Sequence, residues 1–305
     1  MNTHSYRTVD VAVAGGSLRV GVWDPVGQAP AGVTTQTVLA IHGVTASHLA
    51  WPFVVAELPG VRVIAPDLRG RGASNGVDGQ AGMAAHAADL VAVLDALGVA
   101  ALPVFGHSMG AFVAVALAHL APERVERLVL IDGGLPLNAP AGVSAEALVQ
   151  AILGPTAERL SMRFANVDAY LDFWRDHPAF VRDWSSELEA YFAYDLVPDG
   201  DALRPATSLA TTTDDTVDMN TGSTLSGALA ALPGFAGQVD LVTVPHGLLD
   251  ERPGLYPPEH LAALLAALPN VRHTELDDLN HYTVVMSERG ARAVAPVLNR
   301  AALPR

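Results

Sequence analysis

Cysteine is absent from this 305-residue chain. That excludes disulfides, zinc–thiolate sites and a cysteine nucleophile. Basic charge is also scarce: 18 basic residues face 32 acidic ones, for a net charge of -14. Such a surface repels phosphate backbones and anionic lipid, and no basic stripe offsets it, so nucleic acid is a poor candidate partner. No apolar run is long enough to span a bilayer. The opening MNTHSYRTVD lacks the basic stretch and apolar run of a signal peptide. The expectation is a soluble cytoplasmic protein with no membrane partner. HExxH spacing and a GxGxxG fingerprint are both missing, and the 11 histidines are scattered. No metal or other cofactor is therefore expected. Internal repeats are lacking too, and nothing in the sequence sets the oligomeric state.

What is present is core material. Apolar residues make up 50% of the chain and charged residues 16%, which suits one large domain or a domain with a sizeable insertion. VDVAVAGGSLRVGVW (9–23) reads as a hairpin around Gly15 and Gly16. TVLAIHG (37–43), VRVIAPD (61–67), LPVFGHS (102–108), RLVLID (127–132) and VDLVTVPHG (239–247) are nearly continuous apolar runs. Such runs fit parallel strands buried on both faces. Helical segments at 81–98, 109–120, 257–269 and 287–302 lie among them, and this alternation predicts an α/β fold. Between Asp132 and Val239 the alternation stops. SAEALVQAIL (144–153), NVDAYLDFWRDH (166–177) and WSSELEAYFAYDL (184–196) read as helices, and half of the chain's aromatic residues fall between Phe164 and Tyr194. The polar stretch TTTDDTVDMNTGST (211–224) stays unassigned.

GHSMG (106–110) follows a predicted strand and opens a predicted helix. A serine in such a strained strand-to-helix turn projects its hydroxyl as a nucleophile, and glycine on either side avoids collision in the turn. A nucleophilic serine needs a base. His281, in LDDLNHYTVV, lies in a loop after the last predicted strand, where an open α/β sheet keeps its reactive groups. His107 is expected to point away from the serine. Two carboxylates compete to orient the imidazole: Asp250 in HGLLD and Asp132 at the end of RLVLID, each at the carboxyl end of a strand. In IHGV (41–44) the N–H of Val44 can face the serine, and the N–H of Met109 is the second candidate oxyanion donor.

The strand–HG turn, DLRGRGAS (67–74), GHSMG, LVLIDG, HGLLD and the late Asn-His together resemble the α/β-hydrolase fold superfamily. The resemblance covers nearly the whole chain outside the segment after Asp132. It implies a mostly parallel central sheet flanked by helices, formed by 1–134 and 237–305, with a helical cap inserted at 135–236. It favours Asp250 as the acid, because Ser108, Asp250, His281 is the chain order of this fold, and keeps Asp132 as the alternative. Serine at 108 argues against the dehalogenases and epoxide hydrolases of the fold, which use aspartate there. The implied activity is cleavage of a small, partly apolar carboxylic ester or lactone through an acyl-enzyme. A carbon–carbon bond hydrolase, and a small-molecule receptor that retains the triad, are the alternatives. His48, Trp51, Trp174 and Tyr282 are the candidate pocket walls.

Overall fold

The computed structural model describes residues 3–27, 35–138, 144, 147 and 158–302. Its centre is an eight-stranded sheet in the order β1-β2-β4-β3-β5-β6-β9-β10. The strands are β1 His4–Val13, β2 Gly16–Pro25, β3 Gln36–Ile41, β4 Val61–Pro66, β5 Leu102–His107, β6 Val125–Ile131, β9 Gln238–Thr243 and β10 Val271–Glu275. β1 and β2 form the expected antiparallel hairpin, and β2 joins β4 antiparallel. From β4 to β10 every pairing is parallel. The apolar runs read from the sequence are these parallel strands, and β5 shows why they are continuous: all six of its residues are buried. Along β3, Val38 and Ala40 face one apolar cluster while Leu39 and Ile41 face the other, so each side of the sheet carries its own core.

Helices cover both faces. In chain order they are α1 Pro52–Ala56, α2 Met83–Ala96, α3 Met109–Leu120, α4 Val167–Arg175, α5 Ser186–Tyr194, α6 Leu209–Thr221, α7 Ser223–Ala231, α8 Pro258–Ala267, α9 Thr283–Met286 and α10 Glu288–Ala302. α3 is deeply placed: its first ten residues are all buried, as its unbroken apolar sequence requires.

Between β6 and β9 the structure departs from the sequence reading in two ways. A small antiparallel hairpin is present, β7 Leu196–Asp199 with β8 Ala202–Pro205, where no strand was expected. The unassigned polar stretch is mostly helix α6. Its threonines and aspartates are weak helix formers, but Ser208 caps it by accepting from the N–H of Thr211, and Thr212, Thr213, Thr216 and Thr221 each bond back to the carbonyl four residues earlier. α4 and α5 match two of the expected helices, each with a side-chain cap, from Asn166 and Ser185. The third, 144–153, lies almost wholly outside the described residues.

β3 sits between β4 and β5, so the chain leaves β3 toward one edge, crosses back, and then builds toward the other edge. Ligands of open α/β sheets bind at the carboxyl ends of strands beside such a reversal. IHGV and GHSMG lie at the ends of the paired strands β3 and β5.

Candidate active site

Ser108 stands between β5 and α3 with φ 54 and ψ -124. The turn is held by Ser108 N–H donating to the Ile131 carbonyl at 2.9 Å and by Ala111 N–H donating to the Ser108 carbonyl at 3.0 Å. The two flanking glycines are steric necessities. A Cβ on Gly110 would lie 2.1 Å from the Ile41 carbonyl oxygen, and one on Gly106 would lie 2.4 Å from the Gly110 oxygen. No side chain fits such distances. Ser108 itself stays half-buried and lines a cavity of about 80 Å³ shared with His281, Asp132 and His107.

The carboxylate at the imidazole is Asp132. Its Oδ2 accepts from His281 Nδ1 at 2.7 Å, and Asp132 is fully buried. The pairing of His107 with Ile131 across β5 and β6 explains this, because it brings the residues that follow, Ser108 and Asp132, to the same level of adjacent strands. Asp250, preferred from chain order, is not at the imidazole. It ends a longer excursion from β9 and accepts from His246 Nδ1 at 2.9 Å and from Asn280 Nδ2 at 3.1 Å. Burial pushes the Asp250 carboxyl up, and these two donors outweigh it, so its pKa lies below the ordinary value. Asp250 thus reaches the site indirectly, through His246 and through Asn280, whose amide oxygen accepts from the N–H groups of Tyr282 and Thr283. His281 N–H also donates to the His246 carbonyl at 3.1 Å, which ties the same loop to β9.

Two histidines act around the site in ways the sequence reading did not foresee. His107 does not point away. It lines the cavity, its ring centroid lies 4.8 Å from that of His281, and its Nε2 donates to the His281 carbonyl at 2.7 Å. Burial and the neighbouring His281 push its pKa well below the usual value, so it is neutral. His42 Nδ1 donates to the Gly43 carbonyl at 2.7 Å while its Nε2 accepts from Leu68 N–H at 3.0 Å. The Gly43 carbonyl and the Val44 N–H share one peptide plane, so His42 fixes the direction of that N–H. Burial lowers the His42 pKa to about 4, which keeps Nε2 free to accept.

The rest of the cavity wall is mostly apolar, with Thr45 and Tyr191 adding hydroxyls. Val44 comes from the turn after β3, Met109 and Phe112 from α3, Leu137 follows β6, Met219 comes from α6, and Tyr282 follows the imidazole. Tyr282 is therefore where the sequence reading put it, but His48, Trp51 and Trp174 are not in this wall. His48 Nδ1 donates to the buried Asp67 Oδ1 at 2.7 Å and its Nε2 accepts from the Tyr6 hydroxyl at 2.6 Å, in a network completed by Tyr194 donating to Asp67 Oδ2 at 2.6 Å. Trp51 is fully buried in the core. Trp174 stacks on Phe192 with centroids 4.4 Å apart and planes at 17°. Clustered aromatics in an amphipathic helix pack against neighbouring helices before they line a cleft.

Among the described residues no group of three or more metal-ligating side chains is suitably placed, and no helix is long and apolar enough to cross a membrane. All 18 basic residues are arginine, so the chain has no lysine.

A family model described as the alpha/beta hydrolase fold matches residues 36–159. Lipase LipV of Mycobacterium tuberculosis (strain H37Rv) is 32% identical over 163 residues, which cover 53% of this chain and 59% of the lipase. The 2-hydroxymuconate semialdehyde hydrolase of Pseudomonas putida is 36% identical over 128 residues, 42% of either chain. The match thus spans about half the length of these relatives. Among solved structures, a hypothetical protein from Pseudomonas aeruginosa PAO1 superposes with a TM-score of 0.72 at 26% identity, over 96% of this chain and 98% of that one. Sheet order, elbow geometry and these likenesses agree: the chain has the α/β-hydrolase fold.

Proposed function

We propose that the chain is a serine hydrolase that transfers an acyl group to water, acting on a neutral carboxylic ester or lactone of a small, partly apolar molecule. One observation carries the reading: Ser108, held at φ 54 at the head of α3, shares a cavity with His281, whose Nδ1 lies 2.7 Å from the buried Asp132 carboxylate. Hydrogen bonding to Asp132 fixes the imidazole tautomer and leaves Nε2 unprotonated.

In this scheme Nε2 of His281 takes the hydroxyl proton as Ser108 Oγ attacks the acyl carbon. The oxyanion that forms accepts from the N–H groups of Val44 and Met109, both of which line the cavity. His281 then protonates the leaving alkoxide as the carbon–oxygen bond breaks. Water attacks the acyl-enzyme with His281 again as base, and the acid departs with Ser108 restored. Asp132 stabilises the imidazolium in both halves. Each oxyanion donor contributes on the order of 3 kcal/mol.

The neutrality of the substrate follows from the wall. Among the described residues lining the cavity none is arginine, and the chain has no lysine. A carboxylate buried there would lose its hydration without meeting a cation, and Asp132 would repel it. A cavity of about 80 Å³ holds a few waters, which favours a short acyl group.

The test is hydrolysis of nitrophenyl esters of increasing acyl length, with a terminal carboxylate on a second set, by wild type and Ser108→Ala. Turnover of the neutral short esters by wild type alone supports the reading. A preference for the carboxylated set refutes the substrate class. No turnover together with stoichiometric phosphonylation of Ser108 would favour a receptor or a carbon–carbon hydrolase.

A further inference from the structure

Arg71 is a buried cation that the scheme above does not use. Its guanidinium is directed at the two residues proposed as oxyanion donors. Nε donates to the Val44 carbonyl at 2.8 Å, and Nη2 approaches Met109 Sδ at 3.9 Å. Nη1 donates to the Arg69 carbonyl at 2.9 Å and lies 2.5 Å from Asp215 Oδ2. Arg71 and Asp215 thus form a buried ion pair. The other oxygen of Asp215 accepts from His86 Nε2 at 2.9 Å. Arg71, Asp215 and His86 are all fully buried.

Four separate parts of the chain meet here. Arg71 belongs to the loop after β4, His86 to α2, Asp215 to α6, and Val44 to the turn after β3. A buried ion pair is a poor device for stability alone, since apolar side chains of similar volume often serve as well. What this pair does achieve is geometric. The Val44 residue is flanked by two peptide planes. His42 holds the first through the Gly43 carbonyl, and Arg71 holds the second through the Val44 carbonyl. The Val44 N–H keeps one direction only while both planes are fixed. α6 also places Met219 in the cavity wall, so one helix supplies part of the pocket and the counter-ion that sets the turn.

We propose that the Arg71–Asp215 pair is a strut from α6 to the oxyanion turn, which makes Arg71 and Asp215 positioning residues for the proposed hydrolysis. The catalytic consequence rests on the serine hydrolase reading, whereas the strut itself does not.

Asp215→Asn strands the Arg71 charge and is liable to unfold the chain, so the informative variant is the double exchange Arg71→Met with Asp215→Leu, which removes both charges together. In the folded double variant, amide exchange across residues 42–48 is expected to rise roughly tenfold while β9 keeps its protection. Phosphonylation of Ser108 and ester kcat are expected to fall roughly a hundredfold with KM unchanged, as for loss of an oxyanion donor. A folded double variant with wild-type exchange across 42–48, or with wild-type kcat, overturns the strut. If wild-type Ser108 resists the phosphonate, the hydrolase reading falls, and the exchange comparison alone decides for or against the strut.

Discussion

Changing Asp132 to asparagine removes one charge beside His281 and almost nothing else. The carboxylate is fully buried, so solvent does not screen it, and it accepts from the imidazole at 2.7 Å. Asparagine can present its amide N–H₂ to Nδ1, which drives the imidazole into the tautomer that cannot accept the serine proton. In serine triads that error lowers kcat by about 10⁴-fold, about 5.4 kcal/mol of transition-state stabilisation. Asp250→Asn should behave differently. Its carboxylate is a third exposed and bonds to His246 and Asn280. Loss of one such contact costs roughly 1 kcal/mol, or a kcat change within about tenfold. The assay is steady-state ester hydrolysis by both variants, with melting temperatures to show that each is folded. The reasoning fails if folded Asp250→Asn loses turnover by orders of magnitude while Asp132→Asn keeps it. That result would restore the acid expected from chain order.

Four further outcomes follow from the geometry. Gly110→Ala would force a Cβ to 2.1 Å from the Ile41 oxygen; the elbow must shift, and a stability loss of about 3 kcal/mol or failure to fold is expected in urea unfolding. His42 has a pKa of about 4 in the folded chain against 6.5 unfolded, so the unfolded chain takes up the extra proton. The stability it contributes is complete above pH 6.5 and is lost as pH falls toward 4, up to roughly 3 kcal/mol; an unfolding free energy that stays flat from pH 7 to 4 would contradict this. Trp174→Ala removes a ring stacked on Phe192 and should cost about 3–5 kcal/mol of stability with little change in acyl preference. Met219→Ala should shift preference toward longer acyl groups, and calorimetry beside the ester series separates the two effects.

The core of the fold was legible because its signals are local. The runs that became β3 to β6 are apolar on both faces, and the elbow needs only five consecutive residues. The choice between Asp132 and Asp250 was not local. It depends on the register that pairs His107 with Ile131 and on loop lengths that sequence order does not measure. The roles of His42, His107 and Arg71 were missed for a related reason: each works through a backbone carbonyl, that of the next residue for His42 and of another segment for His107 and Arg71, and a hydrogen bond to a carbonyl leaves no trace in the partner's residue type. α6 was missed because threonine and aspartate favour other conformations, and tertiary partners decide there. Asp218 accepts from the Met83 N–H at 2.7 Å and Asp215 pairs with Arg71. The aromatic cluster misled for the opposite reason, being conspicuous in sequence yet mostly occupied with itself in the fold.

Among the described residues, four that are not glycine have positive φ: Ser108, Asp132, Asp250 and Asp278. They follow β5, β6, β9 and β10 in turn, so a strained residue lies beyond the carboxyl end of four neighbouring strands. Each costs on the order of 1–3 kcal/mol that glycine would recover. The rim that gathers the reactive groups is thus also the part of the molecule furthest from its own stability optimum. A search for hardier variants that ignored activity would drift first toward glycine at these positions, and at Ser108 it would gain heat resistance by discarding the nucleophile.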